Sequence, residues 1–586
     1  MGVTADNDRE STTGSVVRVA GPLVVAEGLP NAAMFDVALV GTRRLPGEVI
    51  DLDGSRATIQ VYEYTGGVSP GDPVTATGLA LSAELGPELL GGVFDGLLRA
   101  LGRAEDLLVP GTTPMGLSHE KHWHLDPSVA EGDQVDPGAV LGVVSPSDGV
   151  GAVTLRALVP PTVGGRLDWM ASPGTYRSDE TIAMIDGVEV AMTHRWPARL
   201  ARPAATRLTA IEPLVTGQRV LDFLYPITKG STAAVPGGFG TGKTVMLQQI
   251  AKWCAVDVIV YVGCGERGNE MADVTAELAA LEDPRTGHSL LERVVLIANT
   301  SNMPVMAREA SIYMGVTAAE YFRDMGLDVV VIADSTSRWA EATREVSSRM
   351  RQLPAEEGYP AGLASALAAF YERAGRFATL DGGEGTVSIL GAVSPQGGDM
   401  SEPVTAHTRR FVRAVWSLDR DLAYARHYPA VTWRESFTRD AAAVGDWYLR
   451  GGDSAWAERR RRALALLAEA DHLESIVQLI GSSALPDRER IILLVARLLR
   501  EGVLQQNALA ANDATSSPGK TGALVDLVLA VYETCQRLLA NRVPASVLEE
   551  TDLSIAFRAR EAASPDGEET VRAVTAEVVA KLEALA

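Results

Sequence analysis

Residues 237–244 read Gly237-Gly238-Phe239-Gly240-Thr241-Gly242-Lys243-Thr244, a match to G-x-x-x-x-G-K-[ST] that decides the class of fold. An apolar run at 232–235 precedes the loop, and 245–253 follows it with helical spacing. Glycines let the backbone curl until successive N–H groups converge on the β- and γ-phosphates, and a helix N-terminus adds its dipole. Lys243 supplies a point charge to those phosphates and the Thr244 hydroxyl a ligand to Mg²⁺, so Mg²⁺ with ATP or ADP is the expected cofactor. The expected nucleotide-binding segment is Gly237, Gly238, Phe239, Gly240, Thr241, Gly242, Lys243, Thr244 and Val245. An incidental lysine in a flexible glycine-rich turn would lack this strand–loop–helix context.

Two further stretches carry acids. Leu327-Asp328-Val329-Val330-Val331-Ile332-Ala333-Asp334 is a buried-strand pattern ending in a carboxylate. In a parallel sheet the strand C-termini gather at one edge, so Asp334 is expected beside the phosphate loop, holding a Mg²⁺-bound water. Taken alone it also reads as an Asp capping the next segment; joined to an intact phosphate loop, the metal-holding reading prevails. The run 258–262 leads into Gly263-Cys264-Gly265-Glu266-Arg267-Gly268, which mimics a dinucleotide fingerprint. A second phosphate cradle on an adjacent strand is redundant. The preferred reading is that the glycines let Glu266 project beside the γ-phosphate to orient and polarise attacking water. Arg267 would contact phosphate or tether a neighbouring acid. Spacing alone leaves Glu266 open between a catalytic carboxylate and an exposed strand-end turn.

Outward from this centre the pattern changes. Between about 205 and 435, apolar runs at 256–262, 294–297, 329–333 and 386–393 alternate with helix-length stretches, which predicts an α/β domain with a mostly parallel sheet. Residues 14–75 alternate short β-branched runs (15–19, 23–26, 57–62) with Gly/Pro turns, as a small β-barrel or sandwich does. Residues 116–190, with EGDQVDPG, PSDGVG and SPGTY, read as an inserted β-rich module. After about 438 the pattern is helical, with Ile491, Leu494, Val495, Leu498 and Leu499 on one stripe. Residues 512–522 read as a polar break between helices. The expected domains are 1–75, 76–115 with 191–438, 116–190, and 439–586.

Composition bounds the function. The chain has 586 residues, 46% apolar, enough for about three or four domains. Lys plus Arg number 53 against 75 Asp plus Glu, and a net charge of −22 opposes nucleic acid as a partner. No apolar run reaches the ~18 residues that span a bilayer. The leader MGVTADNDRESTTG reads as neither a signal nor a transit peptide, and three cysteines suit a reducing cytoplasm.

The motifs PGGFGTGKT, YVGCGERGNEM, NTSNMPVMAREASIY, VIADSTSRWAEATRE, EEGYPAGLAS, YERAGR, GAVSPQGGDMSEPVT, RHYPAVTW and LQQNA occur in this order. Together they resemble the catalytic A subunits of prokaryotic V/A-type rotary ATPases, called alpha chains in bacterial V-type nomenclature. GPLVVAEG, LPGEVIDLDGSRATIQVYEYTGGVSPGDPV and LSAELGPELLGGVFDGLLR extend the resemblance to the N-terminal region, and 116–190 falls where that family carries its insertion. The resemblance implies a RecA-like P-loop NTPase core with an N-terminal β-barrel, an inserted β-rich domain and a C-terminal helical domain. It implies that Lys243 and Thr244 bind phosphate and Mg²⁺, that Glu266 is the catalytic glutamate with Arg267 on its phosphate side, and that Asp334 is the Walker B acid. It also puts the ring of Tyr428 against adenine; unaided, Tyr428 reads as a packed aromatic beside Pro429. The implied assembly is an A₃B₃ ring whose homologous non-catalytic B subunit supplies an arginine finger. Central and peripheral stalks would couple it to a membrane sector moving H⁺ or Na⁺, so the chain would lie at the cytoplasmic face of the cell membrane.

This chain departs from the family at Gly238 and Thr241, where relatives have GPFGSGKT, and at Leu509, where they have Phe or Tyr. Other signals are discounted. His119, His122 and His124 lack HExxH spacing and read as an exposed strand or loop. Gly519-Lys520-Thr521 reads as a flexible loop, and Arg459, Arg460, Arg461 and Arg462 as a solvated or subunit-facing helix surface. The rival readings are a homohexameric secretion or export ATPase, a hexameric RNA translocase, and a structural ring component that binds nucleotide without hydrolysing it.

Overall fold

In the N-terminal strands, burial alternates with a period of two: Val24 and Ala26, Ala57 and Ile59, and Val74 and Ala76 are buried with partly exposed neighbours between them. That is the pattern of a sheet with one dry face. In the computed structural model, which describes residues 11–101, 116–147, 153–350, 352–481 and 485–585, these strands close a barrel. Residues 1–10 of the polar leader and 148–151 of the PSDGVG turn lie outside the described residues. The barrel comprises β1 (Thr12–Ala20), β2 (Leu23–Glu27), β3 (Asp36–Val40), β4 (Leu45–Asp53), β5 (Arg56–Val61) and β6 (Pro73–Ala80), ordered β1-β2-β5-β4-β3-β6. Closure leaves no strand edge open.

The α/β core contributes strands β7 (Val93–Phe94), β8 (Thr232–Pro236), β9 (Val258–Glu266), β10 (Val294–Thr300), β11 (Asp328–Asp334) and β12 (Glu384–Val393). Its helices include α1 (Lys243–Trp253), α2 (Gly268–Ala280), α3 (Val305–Asp324) and α4 (Thr336–Arg349). Contacts group the chain into two compact units: Met1–Thr209, Val256–Val393 and Ser401–Phe411 form one, and Ala210–Ala255, Ser394–Met400 and Val412–Ala586 the other.

The first unit holds the barrel, the inserted module and the parallel sheet β12-β11-β9-β10-β7. Residues 258–262, 294–297 and 329–333 are buried throughout, as strands covered on both faces must be. The module is two four-stranded antiparallel sheets. One runs Leu155–Leu158, Val140–Pro146, His122–Pro127, Gly174–Arg177; the other Gln134–Val135, Gly165–Met170, Thr181–Ile185, Val188–Ala191. His122 and His124 alternate outward on their strand around buried Trp123 and Leu125. His119 differs from the expected exposed residue: it is partly buried, with Nδ1 2.9 Å from Ser178 Oγ. Among the described residues no group of three or more His, Cys, Asp or Glu is arranged to hold a metal ion.

In the second unit, β8 pairs in parallel with Ala414–Val415 and leads through the phosphate loop into α1. The helical region contains α5 (Trp456–Ile480), α6 (Asp487–Leu499), α7 (Pro518–Ala540), α8 (Ser554–Ala562) and α9 (Glu568–Glu583). On α6, Ile491, Val495, Leu498 and Leu499 are buried as expected; Leu494 is only partly so, and Ile492 and Ala496 widen the face. The reading of 519–521 as a flexible loop is overturned. Ser517 caps α7 through a hydrogen bond from Lys520 N, Pro518 takes the first turn, and Lys520 is fully buried. The four-arginine run on α5 is paired within the chain, Arg459 with Asp453 and Asp526, Arg461 with Glu458 and Arg462 with Glu533, while Arg460 donates to Leu224 O. Among the described residues no helix is long and apolar enough to cross a membrane.

One ion cluster around the buried Glu48 ties the barrel to α3. Arg199 donates to Glu48 Oε1 at 2.8 Å and to Glu309 at 2.5 Å, and Tyr62 O–H reaches Glu48 at 3.1 Å. Burial, only partly offset by Arg199, raises the Glu48 carboxyl to about 7. The folded chain therefore holds a proton there that the unfolded chain releases at lower pH. Stability tied to that proton is complete below the ordinary carboxylate range and is lost as pH rises through about 7. Thermal unfolding of Glu48→Gln against wild type should show the variant gaining roughly 2–4 °C relative to wild type between about pH 5.5 and about pH 8. A difference that does not move with pH contradicts this account.

Candidate functional site

The phosphate loop is built from backbone conformation and two side-chain staples. Gly242 takes a left-handed φ of 81° as the N-cap of α1, a conformation that would strain any other residue. Thr241 is buried and donates to Gly238 O at 2.8 Å, so the hydroxyl that replaces the relatives' serine closes the loop on itself. Gly238 does not leave a void: a Cβ there would meet Arg420 Nη2 at 3.4 Å. Lys243 opens α1 with its Nζ on Ser394 Oγ and 3.4 Å from Gly237 O. Thr244 and Val245 are exposed on the first turn, and Phe239 is 92% exposed. Tyr428, half-exposed, lies with its ring edge 3.2 Å from where a Cβ on Gly242 would stand. Leu509 is 96% exposed.

In the first unit, β9 and β11 are neighbours in parallel register, Val258 against Val329 through Gly263 against Asp334. Glu266 and Asp334 therefore emerge from adjacent strands at one sheet edge. Asp334 is buried and accepts from Tyr261 O–H at 3.1 Å; burial, then the Asp334 charge, pushes the Tyr261 hydroxyl well above its ordinary range. The segment 263–266, read as glycines following the strand 258–262, is the continuation of β9, with a bulge that shifts register between Cys264 and Glu266. Gly265 makes the bulge with φ +74°. Glu266 O accepts from Ser301 N at 2.8 Å, which anchors the strand end.

Two arginines to which the sequence reading gave no role lie against this bulge. A Cβ on Gly265 would stand 2.9 Å from Arg338 Cβ and 3.0 Å from Arg308 Cδ. Arg308 donates from Nη2 to Ser301 O at 2.9 Å, and its Nε is buried with no hydrogen-bond partner among the described residues. Arg338 is raised first by its hydrogen bond to Glu341, with Glu266 adding to the field. Arg267, by contrast, is exposed, its nearest carboxylate Glu270 at 3.9 Å. Arg308 and Arg338 stand 42 and 72 residues from Glu266 by number, so only strand topology brings them to it.

The donor set fits a hard divalent cation. Mg²⁺ takes one or two protein oxygens and completes its shell with water and phosphate oxygens; Thr244 Oγ1 in the second unit and, separately, the Asp334 carboxylate in the first are each oxygens of that kind. A strand–glycine loop–helix bearing Lys243, and a parallel sheet with two acids on one edge, define a nucleotide-binding α/β protein of the P-loop class.

Comparison with known proteins is more specific. Family models match four stretches: the ATP synthase alpha/beta family beta-barrel domain at 16–78, the alpha/beta subunit barrel-sandwich domain at 115–199, the alpha/beta family nucleotide-binding domain at 217–438, and the C-terminal domain of V and A type ATP synthase at 446–550. The chain is 50% identical over 542 residues to the A subunit of the A-type ATP synthase of Thermococcus kodakarensis, covering 91% of this chain and 92% of that one. It is 49% identical over 581 residues to the V-type ATP synthase alpha chain of Anaeromyxobacter sp. (strain K), covering 98% and 100%. The solved structure of EscN, the ATPase of the enteropathogenic E. coli type III secretion system, superposes with a TM-score of 0.64 at 21% identity, covering 89% of this chain and 100% of that one, a likeness of fold alone. The chain belongs to the family of A-type ATP synthase A subunits and V-type alpha chains.

Gly265→Ala should drive a methyl group into Arg338 and Arg308 and displace Glu266. A misplacement of about 1 Å is expected to lower ATP turnover about 10²-fold, measured by steady-state phosphate release, while circular dichroism stays native. Unchanged turnover would show that the bulge does not aim the carboxylate.

Proposed function

We propose that this chain is the catalytic, ATP-hydrolysing and ATP-synthesising subunit of a V/A-type rotary ATPase, with Lys243, Glu266, Arg267, Thr244 and Asp334 working on one nucleotide. The observation that carries the chemistry is the parallel pairing of β9 with β11, which sets a bulge-aimed Glu266 and a buried Asp334 on one sheet edge. Backbone N–H groups of 237–244 and the Lys243 ammonium take the charge of the β- and γ-phosphates. Thr244 and Asp334 hold Mg²⁺, which when bound supplies further charge neutralisation there. Glu266 orients a water for in-line attack and accepts its proton, and Arg267 bears on the phosphate side. Tyr428 packs on the base. Positioning and charge stabilisation supply most of the rate, so the geometry around the γ-phosphate governs turnover.

The same reading extends to the assembly. This chain alternates with a homologous B subunit in an A₃B₃ ring, and the B subunit contributes an arginine across the interface. The helical region bears on a central stalk, and a peripheral stalk and a membrane sector complete a machine at the cytoplasmic face of the membrane. The domain limits 1–75, 76–115 with 191–438, 116–190 and 439–586 belong to this reading. A secretion-type homohexamer is disfavoured by the V/A-type C-terminal match and the barrel-sandwich insertion. A non-hydrolysing ring component is disfavoured by the presence of both Lys243 and Glu266.

The test is Mg-ATPase activity of the reconstituted complex of this chain with its B subunit. Glu266→Gln should lower turnover by about 10²–10⁴-fold while ATP still binds, and Lys243→Ala should abolish binding of the triphosphate. Undiminished turnover in Glu266→Gln removes the assigned role, and an active ring formed without any B subunit favours the homohexamer.

A further inference from the structure

The tripeptide Gly519-Lys520-Thr521 imitates the end of a phosphate loop, but its lysine is turned onto the chain's own carbonyls. Lys520 is fully buried in the first turn of α7, and its Nζ donates to three main-chain carbonyls: Asn512 O at 2.6 Å, Arg560 O at 2.8 Å and Ala563 O at 2.9 Å. An ammonium buried on neutral oxygens is costly, so its geometry must be closely supported. Burial, with Arg219 adding to it, lowers Lys520 to about 8, which leaves it mostly protonated at neutral pH.

The bonds of Lys520 continue into a network that ends beside the nucleotide loop. Asp513, fully buried, accepts from Arg219 Nη2 and Asn507 N, each at 2.7 Å, and from Arg560. Arg219 also donates to Val503 O at 2.5 Å and Gln505 O at 2.7 Å. Two cations, Arg219 and Arg560, thus share the carboxylate of Asp513, Arg560 also reaches Glu561 at 3.3 Å, and Lys520 beside them rests on backbone carbonyls. The loop they fix carries Gln506. That side chain accepts from Arg219 N at 2.9 Å and donates to Gly217 O at 2.8 Å, while Gln506 N donates to Tyr428 O at 2.7 Å. The Tyr428 ring, in turn, lies against Gly242 at the head of α1.

We propose that Lys520 is a positioning residue for the base side of the nucleotide site: it clamps the loop 505–513 to the end of α8, and through Gln506 holds the Tyr428 backbone so that its ring stays in place to receive a purine. This rests on the reading of Tyr428 as the base-packing residue. It predicts that Lys520 acts on the base and not on the phosphates, although it sits in helices remote in sequence from the phosphate loop.

The test uses the reconstituted complex and two probes, Mg-ATP and Mg-tripolyphosphate, the second lacking a base. Lys520→Met should weaken ATP about tenfold, the size of a lost aromatic–base stack, and leave tripolyphosphate binding and kcat within about twofold. Lys520→Arg, which keeps the donors, should recover most of the loss. Tyr428→Ala should weaken ATP alone, and adding Lys520→Met to it should cost little more, because the two act through one contact. Equal weakening of both probes, full additivity with Tyr428→Ala, or unchanged ATP affinity in Lys520→Met each overturns the positioning role. If Tyr428→Ala leaves ATP affinity unchanged, the base-packing reading itself fails and the inference falls with it. Should Lys520→Met not fold, Gln506→Ala tests the same path, with the same pattern of ATP against tripolyphosphate expected and its absence fatal.

Discussion

The backbone pairing of residues 258–263 with 329–334 is the constraint on which the catalytic edge depends. Both strands are buried on two faces, and the polar pair Tyr261 and Asp334, meeting across them, marks the register. A slip of one residue would turn Asp334 and Tyr261 to opposite faces and break their hydrogen bond. Sheet packing and acid placement are therefore one problem: the apolar side chains that form the core also choose where the carboxylates emerge. The bulge at Gly265 then departs from the regular strand at the point where regularity would have aimed Glu266 along the sheet.

Charge around that edge is arranged in advance. Arg308 and Arg338 stand on either side of the bulge, carried by α3 and α4, helices packed on the same sheet. Their positions are set by helix packing, so they need not be recruited when an anion arrives. The phosphate loop follows the same logic by different means. Thr241 staples it internally, and Lys243 is held on Gly237 O and Ser394 Oγ among its partners. In both places the expensive ordering is done by folding.

What was legible in the sequence follows from this physics. Runs such as 329–333 read as strands because burial on both faces demands unbroken β-branched residues, and the phosphate loop reads because few arrangements other than a nucleotide cradle need that many glycines before a Lys-Thr pair. Asp334 and Glu266 were legible once the sheet was taken as parallel. The bulge was not, since GCGE has the composition of a turn and only its φ angles distinguish a kinked strand from one. Arg308 and Arg338 were not, because they reach Gly265 through topology rather than spacing. His119 misled because a His-rich string looks alike whether its members face solvent or, as with His119 and Ser178, one another's elements.

Residues 512–522 misled for a more general reason. Asn, Asp, Ser, Pro and Gly in a row are the composition of a loop, and also of a loop that ends in a capped helix with its polar groups turned inward. The difference lies in the acceptors. Lys520 bonds to carbonyl oxygens of residues 512, 560 and 563, which every residue type possesses. The donors of this network, Lys520 and Arg219, are specified by chemistry, while most of the positions that receive them are specified only by backbone path. A segment built in this way can vary in sequence at its acceptor positions and keep its geometry, including the bond from Gln506 N to Tyr428 O. The cost falls on the donors: the ammonium of Lys520 bonds three carbonyls, so its removal leaves three oxygens without that donor at once.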